Sequence, residues 1–295
     1  MRLAFVTMVW RDYWLLDKWV QHNAQYVDRR SLYILNHGGD PKIHEIAAGC
    51  NVIDVPRDEV TLDLTRRRWD LLGGLTNGLL AFYDRVICTD VDELIAYVGK
   101  GDGLLSHLEQ SQADTVALSP VGLNLIPTPD AQIDSHVLQA HPQAMLSAKY
   151  TKPCIVKDRV VYTVGGHGLQ RGQFTIDPDL VLFHLHYVTP DYAARMAERK
   201  EIVDQSKKQN DASQDPLDLG KRFWINWSDS EMIRNKEFAL FQTAADMPVE
   251  AGFEAAATAL QGAVRSSGKK TVVDHGVMNK APFRVMIPEA LRSLL

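Results

Sequence analysis

Cysteine is scarce in this chain of 295 residues, which has three copies at positions 50, 88 and 154. They form no CxxC pair, so the sequence offers neither a disulfide framework nor a cysteine-based zinc site. Dispersed cysteines suit a reducing compartment, and we therefore expect a cytoplasmic protein.

Long apolar runs and excess positive charge are also missing. The apolar start LAFVTMV has seven residues, far short of the roughly 20 that a membrane helix needs. It is typical of a first strand rather than of a signal peptide. We expect no transmembrane segment, while peripheral contact with a membrane stays open. The net charge of −5 argues against nucleic acid as a partner.

Strand-like and helix-like segments alternate over residues 1–113. This alternation with short connections predicts an α/β fold with a doubly wound, mostly parallel sheet. Residues 114–190 are rich in strand-like segments, and residues 191–295 look helical. We therefore expect one domain over residues 1–190 and a helical C-terminal region. The predicted C-terminal helices include segments near 217–243, 249–264 and 286–294.

The segment VICTDVDELIA places three carboxylates within four residues after a buried strand. Unpaired carboxylates are costly to bury, so they need a counter-charge or an open crevice. Alternation along an extended chain points Asp90 and Asp92 the same way. Such a pair suits a hard cation such as Mg²⁺ or Mn²⁺. A strand end whose acids are solvated, or cap the next helix, is the plainer alternative.

Other polar side chains fall beyond the carboxyl ends of predicted strands, where open α/β sheets bind ligands. Thr7 and Asn36 follow this rule. Three arginines, Arg66 to Arg68, begin the helix before the acidic segment. Cations oppose the helix dipole there, so a nearby diphosphate would explain them. A solvated charged face explains them equally well.

Histidines and a lysine in the second half add further candidates. His184 and His186 alternate on one predicted strand and share a face, although at least one is expected in the core. His167 lies in VGGHGLQ, where flexible glycines would let the backbone approach a ligand, unless the segment is a plain turn. Lys152 starts a strand and would contact phosphate or acceptor hydroxyls, if it is not merely solvated.

Six segments resemble, in order, motifs of GT-A-fold glycosyltransferases of the family-2-like branch. VICTDVDELIA resembles the DxD element followed by Glu, and VTMVWRDYWLLDKWVQHN resembles the opening strand and helix, with Arg11, Trp19 and His22 in register. LYILNHGGD resembles an acidic turn that carries Asn36 and Asp40. The other matching segments are TKPCIVK, GGHG and HLHYV, and the resemblance covers residues 3 to about 200.

This resemblance implies a metal-dependent glycosyltransferase that moves a sugar from a nucleotide-diphosphate donor, with a UDP-sugar favoured, to a carbohydrate or glycan hydroxyl, with inversion. Residues 1–113 would bind the nucleotide sugar, and residues 114–190 would bind the acceptor. The expected metal ligands are Asp90, Asp92 and His186, and an imidazole favours Mn²⁺ somewhat over Mg²⁺. The residues expected to bind the donor are Thr7, Arg11, Asn36, Arg67, Arg68, Asp90 and Lys152.

The chain departs from the family pattern in ways that leave the general base open. Asp12 and Tyr13 stand where the pattern has Asn and Glu, and Asn36 stands where it has Asp. The acidic pair that supplies the base in many family-2 enzymes has no clear counterpart. We expect His167 or Asp134 in this role, since imidazole suits proton transfer near neutral pH. Asp130 and His136 compete for the same role, because they lie with Asp134 in a polar loop that would fold over the donor.

Two other functions compete with this interpretation. A metal-dependent nucleotidyltransferase shares the sheet and the cation, but it usually has a glycine-rich basic loop after the first strand, whereas TMVWRDYW contains no glycine. A catalytically silent relative that binds carbohydrate or a protein partner would have little use for Asp90, Asp92 and His186 together.

Overall fold

A computed structural model describes residues 1–57, 64–111, 114–132, 136–210, 230–249 and 253–295, with the backbone alone over 203–210 and 230–234. Strands and helices alternate at the start of the chain, as predicted. The elements are β1 (Leu3–Val9), α1 (Tyr13–Asn23), β2 (Leu32–His37), α2 (Pro41–Ile46), β3 (Asn51–Val55), α3 (Leu64–Leu79) and β4 (Arg85–Cys88).

The middle of the chain is rich in strands. It contains β5 (Glu93–Tyr97), α4 (Leu104–Gln110), β6 (Ala117–Ile126), α5 (Val137–Ala140), β7 (Gln143–Leu146), β8 (Ile155–Val156), β9 (Val161–Tyr162), β10 (Gly168–Arg171) and β11 (Phe174–His184). Short 3₁₀ turns lie at Arg29–Ser31, Val164–Gly166 and His186–Val188.

The C-terminal part contains helices and short strands. Its elements are α6 (Tyr192–Asn210), α7 (Ser230–Thr243), β12 (Ala245–Asp246), α8 (Glu254–Gly262), β13 (Val264–Ser266), β14 (Thr271–Val273), α9 (His275–Met278), β15 (Phe283–Met286) and a 3₁₀ turn at Glu289–Leu291.

The central sheet has a parallel half, in the order β3-β2-β1-β4. All seven residues of β1 are buried, because helices cover both faces of such a sheet. Beyond β4 the sheet becomes mixed and continues through β8, β6, β7 and β15 to β12. The α/β fold with a largely parallel central sheet is confirmed. The carboxyl ends of β1, β2 and β4 lie at one edge, and the acidic segment follows β4 directly.

Strand β11 completes this edge. It pairs with β6 in parallel and with β5 in antiparallel orientation. His184, at the end of β11, lies opposite Glu93 of β5 and opposite Asn124 of β6. Three segments far apart in the sequence therefore meet at one point of the sheet.

The region after residue 190 is less helical than the sequence indicates. Strands β12 and β15 extend the central sheet through β7, and β13 and β14 join β10 and β9 in a second sheet. The helix expected near 286–294 is instead the last residue of β15 followed by the 3₁₀ turn. Pro288 lies between them and cannot donate a backbone hydrogen bond within a helix.

Among the described residues, no helix is both long and apolar enough to cross a membrane.

Candidate functional site

The acidic segment forms a tight turn between β4 and β5. The amide of Glu93 donates to Asp90 O at 3.1 Å, and the amide of Asp90 donates to the Glu93 carboxylate at 3.1 Å. The amide of Leu185 donates to Asp92 O at 2.8 Å, which ties the turn to the end of β11. Carboxylate oxygens of Asp90, Asp92 and Glu93 lie within 4.8 Å of one another. A turn gathers these carboxylates, whereas the sequence predicted an extended strand with Asp90 and Asp92 on one side. The turn also brings Glu93 into the group.

Two of the three carboxylates are neutralised by cations, of which Lys152 is buried and Arg68 half-buried. Lys152 is 2% exposed, and its Nζ lies 2.6 Å from Asp90 Oδ2 and 2.6 Å from Glu93 Oε1. Arg68 also donates to Asp90. Burial alone would raise the pKa of Asp90, but Arg68 and Lys152 outweigh it and lower that pKa to about 2. Burial dominates at Glu93 and raises its pKa. Lys152 is thus enclosed as a counter-charge.

The third carboxylate, Asp92, faces two imidazoles. Its Oδ2 lies 3.6 Å from His184 Nε2 and 3.5 Å from His186 Nδ1. Burial would raise the pKa of Asp92, but His184 and His186, when protonated, would hold it well below its usual range. Burial lowers the pKa of His186 to about 4, against the opposing effect of Asp92. At neutral pH this histidine is therefore a neutral imidazole, the form that binds metals.

The cluster of Asp92, His184 and His186 fits a divalent metal ion. The ligand atoms of the three residues lie within 4.8 Å of one another. Ligands that share an ion through bonds of about 2.1 Å lie roughly 3.0–3.4 Å apart, close to the two separations above. Two imidazoles and one carboxylate suit a transition ion such as Mn²⁺ better than Mg²⁺. These residues can hold a metal ion.

This ligand set differs in one member from the set expected from the sequence. Asp92 and His186 come together as expected, and His184, which the sequence analysis weighed as a core residue, joins them. The carboxylate of Asp90 is near but is bonded to Lys152 and Arg68. A direct bond from Asp90 to the metal stays a prediction.

His167 lies in a turn that depends on glycine, and its ring interacts electrostatically with Lys152. Gly165 and Gly166 have φ angles of +85° and +69°, which favour glycine. A Cβ on Gly166 would collide with the ring of Trp69, and this ring lies 5.6 Å from Lys152 Nζ. The glycines thus let the backbone approach the ring of Trp69, whereas the sequence predicted that they would let it approach a ligand.

The environment of His167 makes it a weak base. Its Nδ1 donates to Lys149 O at 2.7 Å, so that Nε2 carries the lone pair of the neutral ring. Burial, reinforced by the charge of Lys152, lowers the pKa of His167 to about 3. A group with this pKa accepts protons weakly near neutral pH. His167 is better suited to accept a hydrogen bond than to remove a proton.

The ends of β1 and β2 form a polar and aromatic rim. Asn36 Nδ2 donates to Asp54 Oδ1 at 2.7 Å and to Asp40 O at 3.1 Å. The hydroxyl of Tyr13 donates to Asp40 Oδ2 at 2.6 Å. Thr7 is completely buried within β1. Its expected contact with a nucleoside, like that of Asn36, stays a prediction.

Helix α6 packs against the loop after β1 through charged pairs. Arg195 Nε donates to Asp12 Oδ1 at 2.6 Å, and Arg199 Nη2 lies 3.4 Å from Asp12 Oδ2. Arg11 pairs with Glu198 at 2.8 Å. Burial lowers the pKa of Arg199, and this guanidinium interacts electrostatically with Asp92 and Arg68. Arg195 and Arg199 were not among the residues predicted from the sequence. Their i, i+4 spacing, which places them on one face of the helix, is the signal that the sequence contains.

The remaining predicted residues have different positions. Arg66 and Arg67 are exposed at the start of α3, whereas Arg68 points inward to Asp90. Of the three arginines, Arg68 is the one whose contact with the acidic turn the structure describes. Asp134 lies outside the described residues.

Comparisons with known proteins do not assign this chain to a family. No protein-family model matches it, and no curated protein matches it either. One similar solved structure is that of the mannose-1-phosphate geranyltransferase from Thermus thermophilus, with 12% identity, coverage of 97% of this chain and 74% of the other, and a TM-score of 0.28. A likeness at this score carries no argument about function, which is inferred here from the site.

Proposed function

We propose that this chain is a metal-dependent glycosyltransferase of the GT-A type, which transfers a sugar from a nucleotide diphosphate to an acceptor hydroxyl with inversion. The observation that carries the proposal is the cluster of Asp92, His184 and His186. It lies beyond the carboxyl ends of parallel strands, where such sheets bind ligands. The resemblance of six ordered segments to this class supports the same function.

Within this proposal, Asp92, His184 and His186 hold the ion. When bound, a divalent cation supplies positive charge that stabilises a departing diphosphate. Asp90 orients the donor ribose or the water around the metal, because Lys152 and Arg68 fix its carboxylate in place. Glu93 keeps Lys152 beneath the site through its 2.6 Å ion pair.

Arg199 is our candidate for direct contact with the diphosphate. It is half-buried on α6, and its charge interacts with Asp92 and Arg68. A planar guanidinium can bind phosphate oxygens with two parallel hydrogen bonds. The 3.4 Å contact with Asp12 leaves the side chain anchored at the rim of the site.

The two halves of the proposed catalytic domain, residues 1–190, take different substrates. Residues 1–113 bind the nucleotide sugar together with His184, His186 and Arg199, and the rest of residues 114–190 binds a carbohydrate or glycan acceptor. His167, neutral and hydrogen-bonded to Lys149, would accept a hydrogen bond from the acceptor hydroxyl. Asp134 remains our candidate for the general base.

We place the protein in the cytoplasm, where the dispersed free cysteines would stay reduced.

A thermal-shift experiment tests this function. UDP, GDP and ADP are added with Mn²⁺, with Mg²⁺ or with EDTA, and the melting temperature is recorded. We expect the largest rise with UDP and Mn²⁺ together, and no such rise in Asp92→Asn. Asp177→Asn is the matched control, because Asp177 belongs to a second His–Asp cluster with His107 and Asp179.

Two results would redirect the proposal. A rise with UDP that is unchanged by EDTA and by Asp92→Asn would remove the metal from nucleotide binding. Release of pyrophosphate from a nucleoside triphosphate and a sugar phosphate would identify a nucleotidyltransferase. A preference for GDP or ADP would refute only the choice of uridine as the nucleoside of the donor.

A further inference from the structure

Asn124 lies directly behind the proposed metal ligands. It is a completely buried residue of β6. It is the register partner of His184 in the parallel pair of β6 and β11, so the two side chains lie side by side on one face of the sheet. Its Oδ1 lies 2.8 Å from His184 Nδ1. Buried side-chain amides are costly unless they are hydrogen-bonded, and Asn124 Nδ2 has no hydrogen-bond partner in the described part of the chain, so the contact with His184 satisfies one end of this amide.

The contact determines which nitrogen of His184 carries the proton. With the amide oxygen of Asn124 facing the ring, Nδ1 of His184 is the donor, because an amide oxygen has no hydrogen to give. A neutral imidazole has one N–H group, and Nε2 therefore carries a lone pair. This lone pair faces Asp92 Oδ2 across 3.6 Å. Two electron-rich atoms that face each other at this separation are suited to share a cation.

A second neighbour fixes the plane of the same ring. Tyr150 stacks on His184 with ring centroids 3.6 Å apart and an angle of 16° between the planes. The stacking restricts the tilt of the imidazole, and the hydrogen bond to Asn124 restricts its rotation within that plane. Together they direct Nε2 toward Asp92.

We propose that Asn124 is a positioning residue that holds His184 as its Nδ1–H tautomer and so presents Nε2 to a divalent transition metal. This inference rests on the proposed metal site. Metal-bound histidines commonly donate their second N–H group to an oxygen acceptor, which fixes the tautomer. Without that acceptor, the proton would move to Nε2 and donate to Asp92. The carboxylate and the imidazole would then bond to each other, and metal binding would have to break this bond.

Three variants separate this role from a purely structural one. Asn124→Leu removes the acceptor at similar volume, and Asn124→Asp keeps an acceptor oxygen. Ser119→Ala is the control, since Ser119 is a completely buried polar residue of the same strand and its Oγ has no hydrogen-bond partner in the described part of the chain. Calorimetric titration with Mn²⁺ alone should show binding weakened by about 10- to 100-fold in Asn124→Leu. Asn124→Asp and Ser119→Ala should retain wild-type binding within a few-fold.

Nitrogen-15 NMR of the His184 ring gives a readout that needs no metal. The resonances are assigned by their loss in His184→Gln. We expect the Nδ1–H tautomer in the metal-free wild type and in Asn124→Asp, and the Nε2–H tautomer in Asn124→Leu. Unchanged Mn²⁺ affinity in a folded Asn124→Leu variant would overturn the inference.

An Nε2–H tautomer in the wild type, with the Asn124 amide turned to donate to Nδ1, would also overturn it. This measurement decides the matter even if Asn124→Leu does not fold. If the wild type binds no Mn²⁺, the proposed metal site fails, and the inferred role in metal binding fails with it. Metal binding by the wild type that is unaffected in Asn124→Leu would refute the role of Asn124 alone.

Discussion

Asp90 and Asp92 are separated by one residue, yet they have opposite environments. Asp90, together with Glu93, contacts the permanent cations Lys152 and Arg68. Asp92 contacts two imidazoles, which are neutral metal ligands when unprotonated. One acidic motif thus has a part that the protein neutralises and a part that a metal ion would complete. This division also explains how three carboxylates are accommodated at a buried strand end.

The neutralised part should matter most for stability. Lys152→Met leaves Asp90 and Glu93 without their shared counter-charge, and removing one partner of a buried ion pair costs about 3–5 kcal/mol. Urea unfolding would measure the loss. The double variant Lys152→Met with Glu93→Gln should recover part of it, because one uncompensated charge is gone. A loss below about 1 kcal/mol would show that the ion pair is not buried as described.

The metal-facing part should matter most for binding. Asp92→Asn should weaken Mn²⁺ binding by more than about 100-fold, because even changes behind the ligands cost about 10- to 100-fold. Its stability without metal should change little. Asp90→Asn, its matched control, should lower Mn²⁺ affinity far less, since its carboxylate is held by Lys152 and Arg68. Equal losses of Mn²⁺ affinity in calorimetry would erase the distinction between the two aspartates.

The charge of Lys152 also affects the pH dependence of stability, because it interacts with His167. Its pKa falls from 6.5 to about 3, through burial and then the charge of Lys152. The unfolded chain therefore takes up a proton between these pH values that the folded chain does not. The stabilisation from the neutral ring is complete above pH 6.5 and is lost as the pH falls toward about 3.

His167→Asn isolates this contribution, because an Asn amide can still donate to Lys149 O but does not titrate. Relative to this variant, the wild type should lose up to about 1.4 kcal/mol for each pH unit below 6.5. Urea unfolding at pH 7.5, 6.0 and 4.5 would measure the difference. Parallel pH profiles for the two proteins would show that His167 is not desolvated beside Lys152.

The smallest effect is expected at the rim, where the charged pair is exposed. Arg11 is 54% exposed and pairs with Glu198, which is 40% exposed. Exposed pairs contribute about 0–1 kcal/mol, so Arg11→Ala should change the free energy of unfolding by less than about 1 kcal/mol. Arg195→Ala should cost more, because Arg195 is buried against Asp12. A large loss of stability in Arg11→Ala would show that the Arg11–Glu198 pair is shielded from solvent like the pair of Arg195 and Asp12.

The parts of the molecule that were predictable depend on local patterns. The apolar runs of β1 to β4 and the helices between them show the expected periodicities, and strand ends in such sheets gather polar residues. Asn124 and His184 are 60 positions apart, and their contact depends on the register between β6 and β11. Arg195 and Arg199 reach the site only because α6 packs on the loop that carries Asp12.

The C-terminal strands were not predictable for a related reason. Strand β12 has two residues and β14 has three, too few to show an alternating pattern. They become strands because β15 and β10 offer open edges beside them. Long-range packing therefore decides these elements, as it decides the positions of His184 and Lys152.

The most direct test of the metal site is the electron spin-echo spectrum of Mn²⁺ bound to the protein, recorded with unlabelled and with ¹⁵N-histidine-labelled chains. We expect modulation from two directly bound imidazole nitrogens, which changes with the label and loses one nitrogen in His184→Gln. A spectrum with oxygen ligands alone, unaffected by the label, would contradict the assignment of Asp92, His184 and His186 as the metal site.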